Sequence, residues 1–429
     1  MIRKNNIGQW VFWAMAFLAV PLTLIPALQG NFNWNSRSMI GLSSNLSGML
    51  GFSMFALSFL LSSRIKWMEK YFGGLDKMYH THHLIAKYSF LFMLLHPLLL
   101  VFRGKKGVGQ IFTILLPVHS GLAVNLGSYA IIGVAILLIF TFIIKLPYDK
   151  WKKTHKLIGI FFVLSVFHIF LLKNDLSGYI PLMIYVVMLT ILGITGYVYK
   201  TLIFDFIKKG FTYTVTKVDK LSDKIMEITM EPDGIKAHFI PGQYYFFSFV
   251  DSDLTRESHP FTLCNVEEDS GIKIIVKSLG DYTEKLYNEL KSGVKVRLEG
   301  PYGEFYYRTG KQKQVWIGGG VGMAPFVSWA RELRAKPYDG LKVDMYYCVN
   351  SSKEAVHLSD FKELESENFK LHLISADETG FLKAADIKDL QNCSIFICGP
   401  KGLRQSLLKG FKEIGIPKGL IYYEDFEFV

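Results

Sequence analysis

The first half of this chain contains six long apolar segments, at about 8–28, 39–61, 83–102, 121–144, 155–172 and 179–203. A helix needs about 20 apolar residues to cross a bilayer, where no water is available to hydrogen bond with the backbone. The chain is 429 residues long and 50% hydrophobic, which is too long for one domain and too apolar for an ordinary soluble protein. The segments therefore predict six membrane-spanning helices.

Two of these segments carry paired histidines, His82 with His96 and His155 with His168, separated by 14 and 13 residues. Both spacings are close to a whole number of helical turns and correspond to roughly 20 Å along a helix. Each pair therefore lies on nearly one helix face, with one imidazole near each side of the membrane. Because imidazole is a usual axial ligand of haem iron, the pattern predicts two b-type haems, one between His82 and His155 and one between His96 and His168.

The alternative is that these histidines are ordinary interior residues, which is the commoner role of a single histidine in an apolar helix. Four histidines at matched spacings favour the ligand interpretation. His80, His83 and His119 have no such partners, although a one-residue shift in register would exchange His83 for His82. The pattern does not by itself name an enzyme, because other dihaem membrane cytochromes use similar spacings.

Charge is distributed unevenly along the chain. Residues 1–204 hold 18 Lys/Arg and 4 Asp/Glu, and the remaining residues hold 30 and 33. The basic excess lies in membrane loops, so we expect membrane lipid as a partner and no nucleic acid. With the N-terminus inside, 13 basic residues fall on the inner side and five on the outer side, although the basic run at 103–107 opposes this orientation. The excess predicts that both termini are cytoplasmic, in a bacterial plasma membrane.

Two further features bear on the compartment. The N-terminal residues MIRKNN precede an apolar run without a cleavage signal, so we expect a retained first span. All four cysteines lie in the second half without a C-x-x-C motif. That distribution predicts a reducing cytosol, with no disulfide framework and no zinc or iron–sulfur site.

The character of the chain changes near residue 205. Short β-rich runs punctuated by turns occupy about 212–307 and predict a small antiparallel barrel. The rest alternates strand-like and helical runs, which indicates a parallel sheet with crossover helices. The predicted domains are 1–204 in the membrane, 205–310 as a β-barrel and 311–429 as an α/β domain.

Two glycine-rich turns follow strand-like runs of the last domain, and their residues are Gly318, Gly319, Gly320, Val321, Gly322 and Pro325 in the first and Cys398, Gly399 and Pro400 in the second. Such a turn lets backbone N–H groups approach a pyrophosphate. The spacing is not G-x-G-x-x-G, and one such turn alone is weak support. Ligands of open parallel sheets bind at the carboxyl ends of strands, where both turns are expected.

Further turn-like motifs lie upstream, in the order PGQ (241–243), HPFT (259–262), GDYT (280–283) and GPYG (300–303). Each alone is consistent with a structural turn. Together with the two glycine turns, their order resembles the FAD- and nicotinamide-binding half of the ferredoxin reductase superfamily. HPFT behind a dihaem membrane domain resembles the NADPH oxidase/ferric reductase family, with closest likeness to short bacterial NADPH oxidases of the streptococcal type.

The resemblance implies a ferredoxin-reductase-like module fused to a six-span dihaem domain. Its implied FAD contacts are His259, Pro260, Phe261 and Thr262, with Lys277, Gly280 and Thr283 at the pyrophosphate. The first glycine turn would hold NADPH or NADH, and Cys398 with the rest of the second turn would lie near the nicotinamide. Phe426 would cover the flavin ring and move aside for hydride transfer.

The nicotinamide preference stays open. Relatives often place an arginine for the 2′-phosphate where this chain has Ser351, Ser352 and Lys353, which are still able to bind a phosphate.

A nicotinamide gives up two electrons together and a haem accepts one, so a flavin is the required converter. The implied activity is electron transfer from NAD(P)H through FAD and two haems to dioxygen outside, forming superoxide. A ferric-chelate reductase and an electron-relay subunit that serves an extracytoplasmic protein are the alternatives. The chain shows no EF-hand-like loop and no Pro-rich tail, so we expect neither calcium control nor an obligatory cytosolic activator.

Overall fold

The computed structural model describes residues 7–29, 32–103, 115–119, 121–144, 146, 148–172, 178–207, 210–250 and 257–425. These residues fall into two units. One, the membrane unit, holds the membrane-type helices, and the other, named the soluble unit, holds two β-sheets.

Six helices of the described residues are long and apolar enough to cross a membrane, and we number them span 1 (Ile7–Gln29), span 2 (Ser36–Leu61), span 3 (Leu75–Arg103), span 4 (Leu122–Phe142), span 5 (Lys150–Leu171) and span 6 (Ile180–Ile203). The six predicted segments are confirmed as helices of bilayer length, although spans 3 and 5 begin at Leu75 and Lys150, before their predicted starts at 83 and 155. A short helix, Lys66–Phe72, lies between spans 2 and 3 and was not predicted.

Small side chains and one buried hydroxyl hold the spans together. A Cβ on Gly196 of span 6 would lie 3.0 Å from the backbone of Phe59 and Leu60, so spans 2 and 6 approach backbone to backbone. The Tyr185 hydroxyl lies 2.7 Å from the carbonyl oxygen of Met15 and 2.9 Å from Ser53 Oγ, and it joins spans 1, 2 and 6. Close packing and such hydrogen bonds are what associate helices in lipid, where the hydrophobic effect is absent.

Span 5 is confirmed as one helix that carries both His155 and His168, with one local irregularity. At Leu157, between the segments Tyr148–Lys156 and Ile158–Leu171, the N–H bonds to Thr154 O, three residues back rather than four. Leu157 keeps helical dihedrals, φ −67° and ψ −14°, so the helix continues through it. Tyr197 of span 6 donates a hydrogen bond of 3.0 Å to the Lys156 carbonyl at this turn.

The first sheet of the other unit contains β1 (Gly210–Lys220), β2 (Ile225–Pro232), β3 (Tyr244–Val250), β4 (His259–Thr262), β5 (Ile272–Lys277) and β6 (Lys295–Tyr302). All pairs are antiparallel, in the order β4-β3-β6-β1-β2-β5. The N–H of Cys264 donates to Lys273 O at 2.9 Å and joins the two edges, as the predicted barrel requires. HPFT is strand β4 rather than a turn, and GDYT begins a helix, Asp281–Glu289.

The second sheet is parallel and contains β7 (Lys313–Gly319), β8 (Lys342–Val349), β9 (Phe369–Ser375), β10 (Ser394–Cys398) and β11 (Ile421–Tyr423). Its strand order is β11-β10-β7-β8-β9. Helices Ala324–Ala335 and Lys401–Glu413 follow β7 and β10. Every residue of β10 is buried, as expected for a central strand covered on both faces.

The helix Ala324–Ala335 packs the parallel sheet against the barrel. Arg331 donates to Cys264 O at 2.8 Å and forms an ion pair of 3.1 Å with Asp360. His357 lies between two carboxylates, 3.3 Å from Asp360 and 3.2 Å from Glu227 of β2. The pKa of His357 is raised, although burial alone would lower it, because both carboxylates favour its charged form. A buried ionic cluster thus joins the two domains.

Candidate functional site

The His96 and His168 imidazoles, from spans 3 and 5, face each other with ring centroids 6.4 Å apart and planes at 73°. His96 Nδ1 lies 2.8 Å from Ser44 O in span 2, and His168 Nδ1 lies 2.7 Å from Ala123 O in span 4. A carbonyl oxygen only accepts hydrogen bonds, so each Nδ1 carries the proton. Each Nε2 is then left with a free lone pair, which is the state of a metal-binding imidazole.

Glycines make room for both rings. A Cβ on Gly48 would lie 2.9 Å from His96 Nδ1, and one on Gly127 would lie 2.7 Å from His168 Nδ1. Each glycine is four residues beyond the carbonyl that its histidine contacts, and therefore on the same helix face. The backbone of the neighbouring helix thus positions each imidazole.

His82, 14 residues before His96 on span 3, makes the same kind of contact with a backbone carbonyl. Its Nδ1 lies 2.9 Å from Ser58 O, and Ser58 and Ser44 are separated by the same 14 residues as His82 and His96. His155 of span 5 lies near both His82 and His83. Of the two predicted ligand pairs, His96 thus faces His168, and the pairing of His82 with His155 stays a prediction. Ser44 and Ser58 were not predicted from the sequence, although their spacing equals that of His82 and His96 and is visible there.

His155 differs from the other three histidines. Its Nδ1 is buried and has no hydrogen-bond partner among the described residues. Its ring instead lies against Trp151, with centroids 5.1 Å apart and planes at 30°.

In the barrel, the HPFT strand places His259 face to face with Tyr282, with ring centroids 3.9 Å apart, and its Nε2 lies 2.9 Å from Glu257. Pro260 and Phe261 are half-buried, and Thr262 is buried. Tyr282 was not predicted as a site residue, but it comes from the GDYT motif, two residues after Gly280.

Thr283 shapes the start of the helix that Gly280 precedes. Its hydroxyl accepts hydrogen bonds from Leu279 N–H at 3.0 Å and Gly280 N–H at 3.1 Å. Lys277, at the end of β5, lies 3.8 Å from Glu354 of the parallel-sheet domain. The residues predicted for the pyrophosphate therefore surround one helix start, next to the second domain.

The two predicted glycine turns meet at the carboxyl ends of β7 and β10. A Cβ on Gly322 would lie 2.5 Å from Cys398 O, and one on Gly399 would lie 3.1 Å from Gly319 N. Gly320 has φ +55°, a conformation that side chains disfavour. The chain leaves β7 toward β8 on one side, and β10 lies on the other. This edge is therefore the topological switch point, where open α/β sheets bind ligands.

Pro325 and Pro400 stand at the starts of the helices behind these turns. Cys398 is fully buried, and burial followed by the charge of Glu424 raises the pKa of its thiol well above the usual value. The thiol is therefore neutral and unsuited to act as a nucleophile. Glu424 is 4% exposed, and sequence reasoning did not single it out. Phe426 lies outside the described residues.

The residues predicted to bind a 2′-phosphate follow β8, and they are Ser351, Ser352 and Lys353. Asp377, which follows β9, lies next to them. The N–H of Asp377 donates to Asn350 O at 3.0 Å, and Ser375 Oγ donates to Asp377 at 2.5 Å. The hydroxyls of Ser375 and Ser351 lower the pKa of Asp377, so the carboxylate is charged at neutral pH. Asp377 was missed in the sequence because no motif surrounds it, although it lies only two residues after the end of β9.

Three domain families match successive parts of the chain: a ferric reductase like transmembrane component at 47–166, an FAD-binding domain at 210–306 and an oxidoreductase NAD-binding domain at 316–409. A subunit of the Na(+)-translocating NADH-quinone reductase of Marinomonas sp. strain MWYL1 is 31% identical over 252 residues, which cover 52% of this chain and 60% of that protein.

The corresponding protein of Neisseria gonorrhoeae is 32% identical over 276 residues, which cover 51% of this chain and 68% of that protein. This chain thus spans between 60% and 68% of the length of these two curated relatives. A solved structure, the ferredoxin reductase of carbazole 1,9a-dioxygenase, is 21% identical with a TM-score of 0.44, over 51% of this chain and 69% of that one.

Proposed function

Because this chain belongs to the NADPH oxidase/ferric reductase family, we propose that it is a transmembrane NAD(P)H oxidase that forms superoxide from dioxygen on the outer face of the membrane. At the coarser level it is an integral membrane oxidoreductase with FAD- and NAD-binding domains. One NAD(P)H would reduce two dioxygen molecules to two superoxide ions, with release of NAD(P)⁺ and one proton. When bound, FAD accepts a hydride and releases electrons singly, and each haem iron carries one electron.

The spacing of the His96 and His168 rings carries this proposal. The two ring centroids are 6.4 Å apart. Metal–imidazole bonds are about 2 Å long, so His96 and His168 would be able to hold one metal ion together. A haem iron would need no more than these two ligands from the protein. A bare metal ion would need more, and the described residues contain no cluster of three or more ligating side chains.

The Nδ1 contacts support the same assignment. Imidazoles that bind metals usually donate their other N–H to a carbonyl or carboxylate, and His82, His96 and His168 do so. These histidines would hold two b-type haems at two depths, one with His82 and His155 and one with His96 and His168. The excess of Lys and Arg favours His82 and His155 on the cytoplasmic side, with both termini.

Both nicotinamides are proposed as electron donors. Lys353 and the serines beside it are suited to a 2′-phosphate, whereas the charged carboxylate of Asp377 would repel a phosphate and would accept a hydrogen bond from a ribose hydroxyl. The two effects oppose each other, so neither donor is strongly excluded.

The test is cytochrome c reduction by purified, haem-loaded protein with FAD and either NADPH or NADH, with and without superoxide dismutase. Reduction that dismutase abolishes is the expected result, at comparable rates for the two donors. If haem is reduced but no dismutase-sensitive signal follows, dioxygen is not the acceptor.

A ferric-chelate reductase is the second candidate, and the match of 47–166 to a ferric reductase like component favours it. It predicts rapid reduction of chelated iron that dismutase does not inhibit. An electron-relay subunit is a third, favoured by the similarity to a subunit of the NADH-quinone reductase. It predicts negligible turnover with either small acceptor until a protein partner is supplied.

A further inference from the structure

The four proposed haem ligands are not supported equally. Three of them, His82, His96 and His168, have Nδ1 within 2.9 Å of a carbonyl oxygen on a different span. Such a hydrogen bond fixes the orientation of the ring and raises its basicity as a ligand. His155 lacks this support, since its buried Nδ1 has no partner among the described residues.

An aromatic contact takes the place of the hydrogen bond at His155. Trp151 is one turn earlier on the helix Tyr148–Lys156, and its ring lies against the imidazole. Its indole N–H donates at 3.2 Å to Thr141 Oγ1, and the Thr141 hydroxyl donates to Leu137 O at 2.9 Å. The tryptophan is therefore anchored to span 4, and its ring restricts how far His155 turns.

The surroundings of span 5 near His155 are consistent with this difference. The Lys156 carbonyl accepts a hydrogen bond of 3.0 Å from Tyr197, and a Cβ on Gly159 would overlap the Tyr197 ring, so span 6 packs closely against this turn of span 5. His155 thus reaches its position without the helix-to-helix carbonyl contact that the other three imidazoles have.

We propose that Trp151 is the positioning residue of His155, and that His155 is the most weakly held of the four ligands. The inference rests on the proposed haem sites. The haem between His82 and His155 then dissociates faster than the haem between His96 and His168. The reason is that the His155 imidazole has no hydrogen bond to fix its orientation or to raise its basicity.

The first test follows haem transfer from the full-length holoprotein to excess apomyoglobin by absorbance. Two phases are expected for the wild type, with rates about 10-fold or more apart. Trp151→Leu should accelerate only the fast phase and convert one of the two haems from low to high spin in its absorption and electron paramagnetic resonance spectra. Trp151→Phe keeps an aromatic ring and should retain two low-spin haems.

Two further variants separate positioning from general damage. Thr141→Val removes the acceptor of the indole N–H and should accelerate the fast phase less than Trp151→Leu does. Trp10→Leu removes a tryptophan that is 61% exposed on span 1 and should match the wild type. FAD content and reduction of ferricyanide by NADPH report on the soluble unit and should stay unchanged in every variant.

The outcomes distinguish this inference from the proposed function. A wild-type protein that binds no haem refutes the proposed function. Two low-spin haems that leave in one phase, or a Trp151→Leu variant with unaltered spectra and rates, refute the inference and leave the function standing. If Trp151→Leu fails to fold, the spectra and haem-transfer rates of Trp151→Phe and Thr141→Val test the inference instead. Loss of the slow-phase haem in Thr141→Val overturns the proposal.

Discussion

The two units use glycine in opposite ways to build a site. In the membrane unit, Gly48 and Gly127 leave space for imidazole rings, and the atoms proposed as ligands belong to side chains. In the soluble unit, Gly320 and Gly322 let the backbone turn sharply and approach the Cys398 turn, and the atoms proposed to bind the dinucleotide are backbone N–H groups. Lipid offers no hydrogen-bonding solvent, so its helices keep their backbone groups paired, and binding there depends on side chains. At a strand end in water, the backbone itself is available.

The largest effect is expected from removing an imidazole of the membrane unit. His168→Ala should lose the haem between His96 and His168 and lower superoxide formation at least about 100-fold. Reduction of ferricyanide by NADPH should stay within about twofold, because it needs only the soluble unit. His83→Ala is the matched control. Equal haem content in the two variants would remove the basis for the ligand assignment.

The next largest effect is expected from adding a methyl group to the first glycine turn of the soluble unit. Gly322→Ala places a Cβ 2.5 Å from Cys398 O and separates the two turns. Flavin reduction by NADPH should slow roughly 10- to 100-fold, since a displacement of about 1 Å has costs of that order. Stopped-flow absorbance measures it. Gly402→Ala meets no atom within 4 Å and is the control, and similar rates for both would argue against this binding edge.

The equivalent change in the membrane unit should be milder, since a ring turns more easily than a backbone. Gly127→Ala places a Cβ 2.7 Å from His168 Nδ1 and weakens its contact with Ala123. The slower haem should then transfer to apomyoglobin about 10-fold faster. Gly121→Ala, whose nearest contact is Val124 at 3.9 Å, should behave as wild type. No change with Gly127→Ala would mean that the carbonyl contact does not hold the ligand.

A smaller shift is expected at Asp377. Two like charges about 4 Å apart in water repel only weakly, so Asp377→Asn should raise the preference for NADPH over NADH roughly fivefold. The ratio of kcat/KM for the two donors measures it. Glu378→Gln changes the neighbouring exposed charge and should have little effect. An unchanged ratio in Asp377→Asn would place the adenosine ribose elsewhere.

The smallest effect concerns the cluster between the barrel and the parallel sheet. The pKa of His357 is raised in the folded state, so its stabilisation is present below about pH 6.5 and is lost as pH rises through the raised value. The pKa of Asp360 is lowered to about 2, so its stabilisation is lost only in acid. His357→Gln should remove the loss of stability that occurs above about pH 6.5, because glutamine does not titrate. Flavin fluorescence during thermal unfolding measures it, with His238→Gln as control.

Much of this architecture could be predicted from the sequence because its signals are local. Apolar runs of bilayer length predicted the spans, and alternating short strands predicted the barrel and the parallel sheet. HPFT and GDYT were interpreted as turns but form a strand and a helix start, because short polar motifs do not reveal their pairing partners. The tightened turn at Leu157 leaves no mark in the sequence, since every residue near it is compatible with a regular helix.

The sequence alone predicted which residues carry the chemistry. Helical period places His82 and His96 on one face of span 3, and the order of the glycine turns marks a nucleotide-binding edge. Only the tertiary structure decided what holds those residues in place. The carbonyls of Ser44, Ser58 and Ala123, and the ring of Trp151, support four imidazoles in two different ways. A backbone carbonyl is present at every residue, so its selection as a partner depends on helix packing and leaves no mark in the sequence.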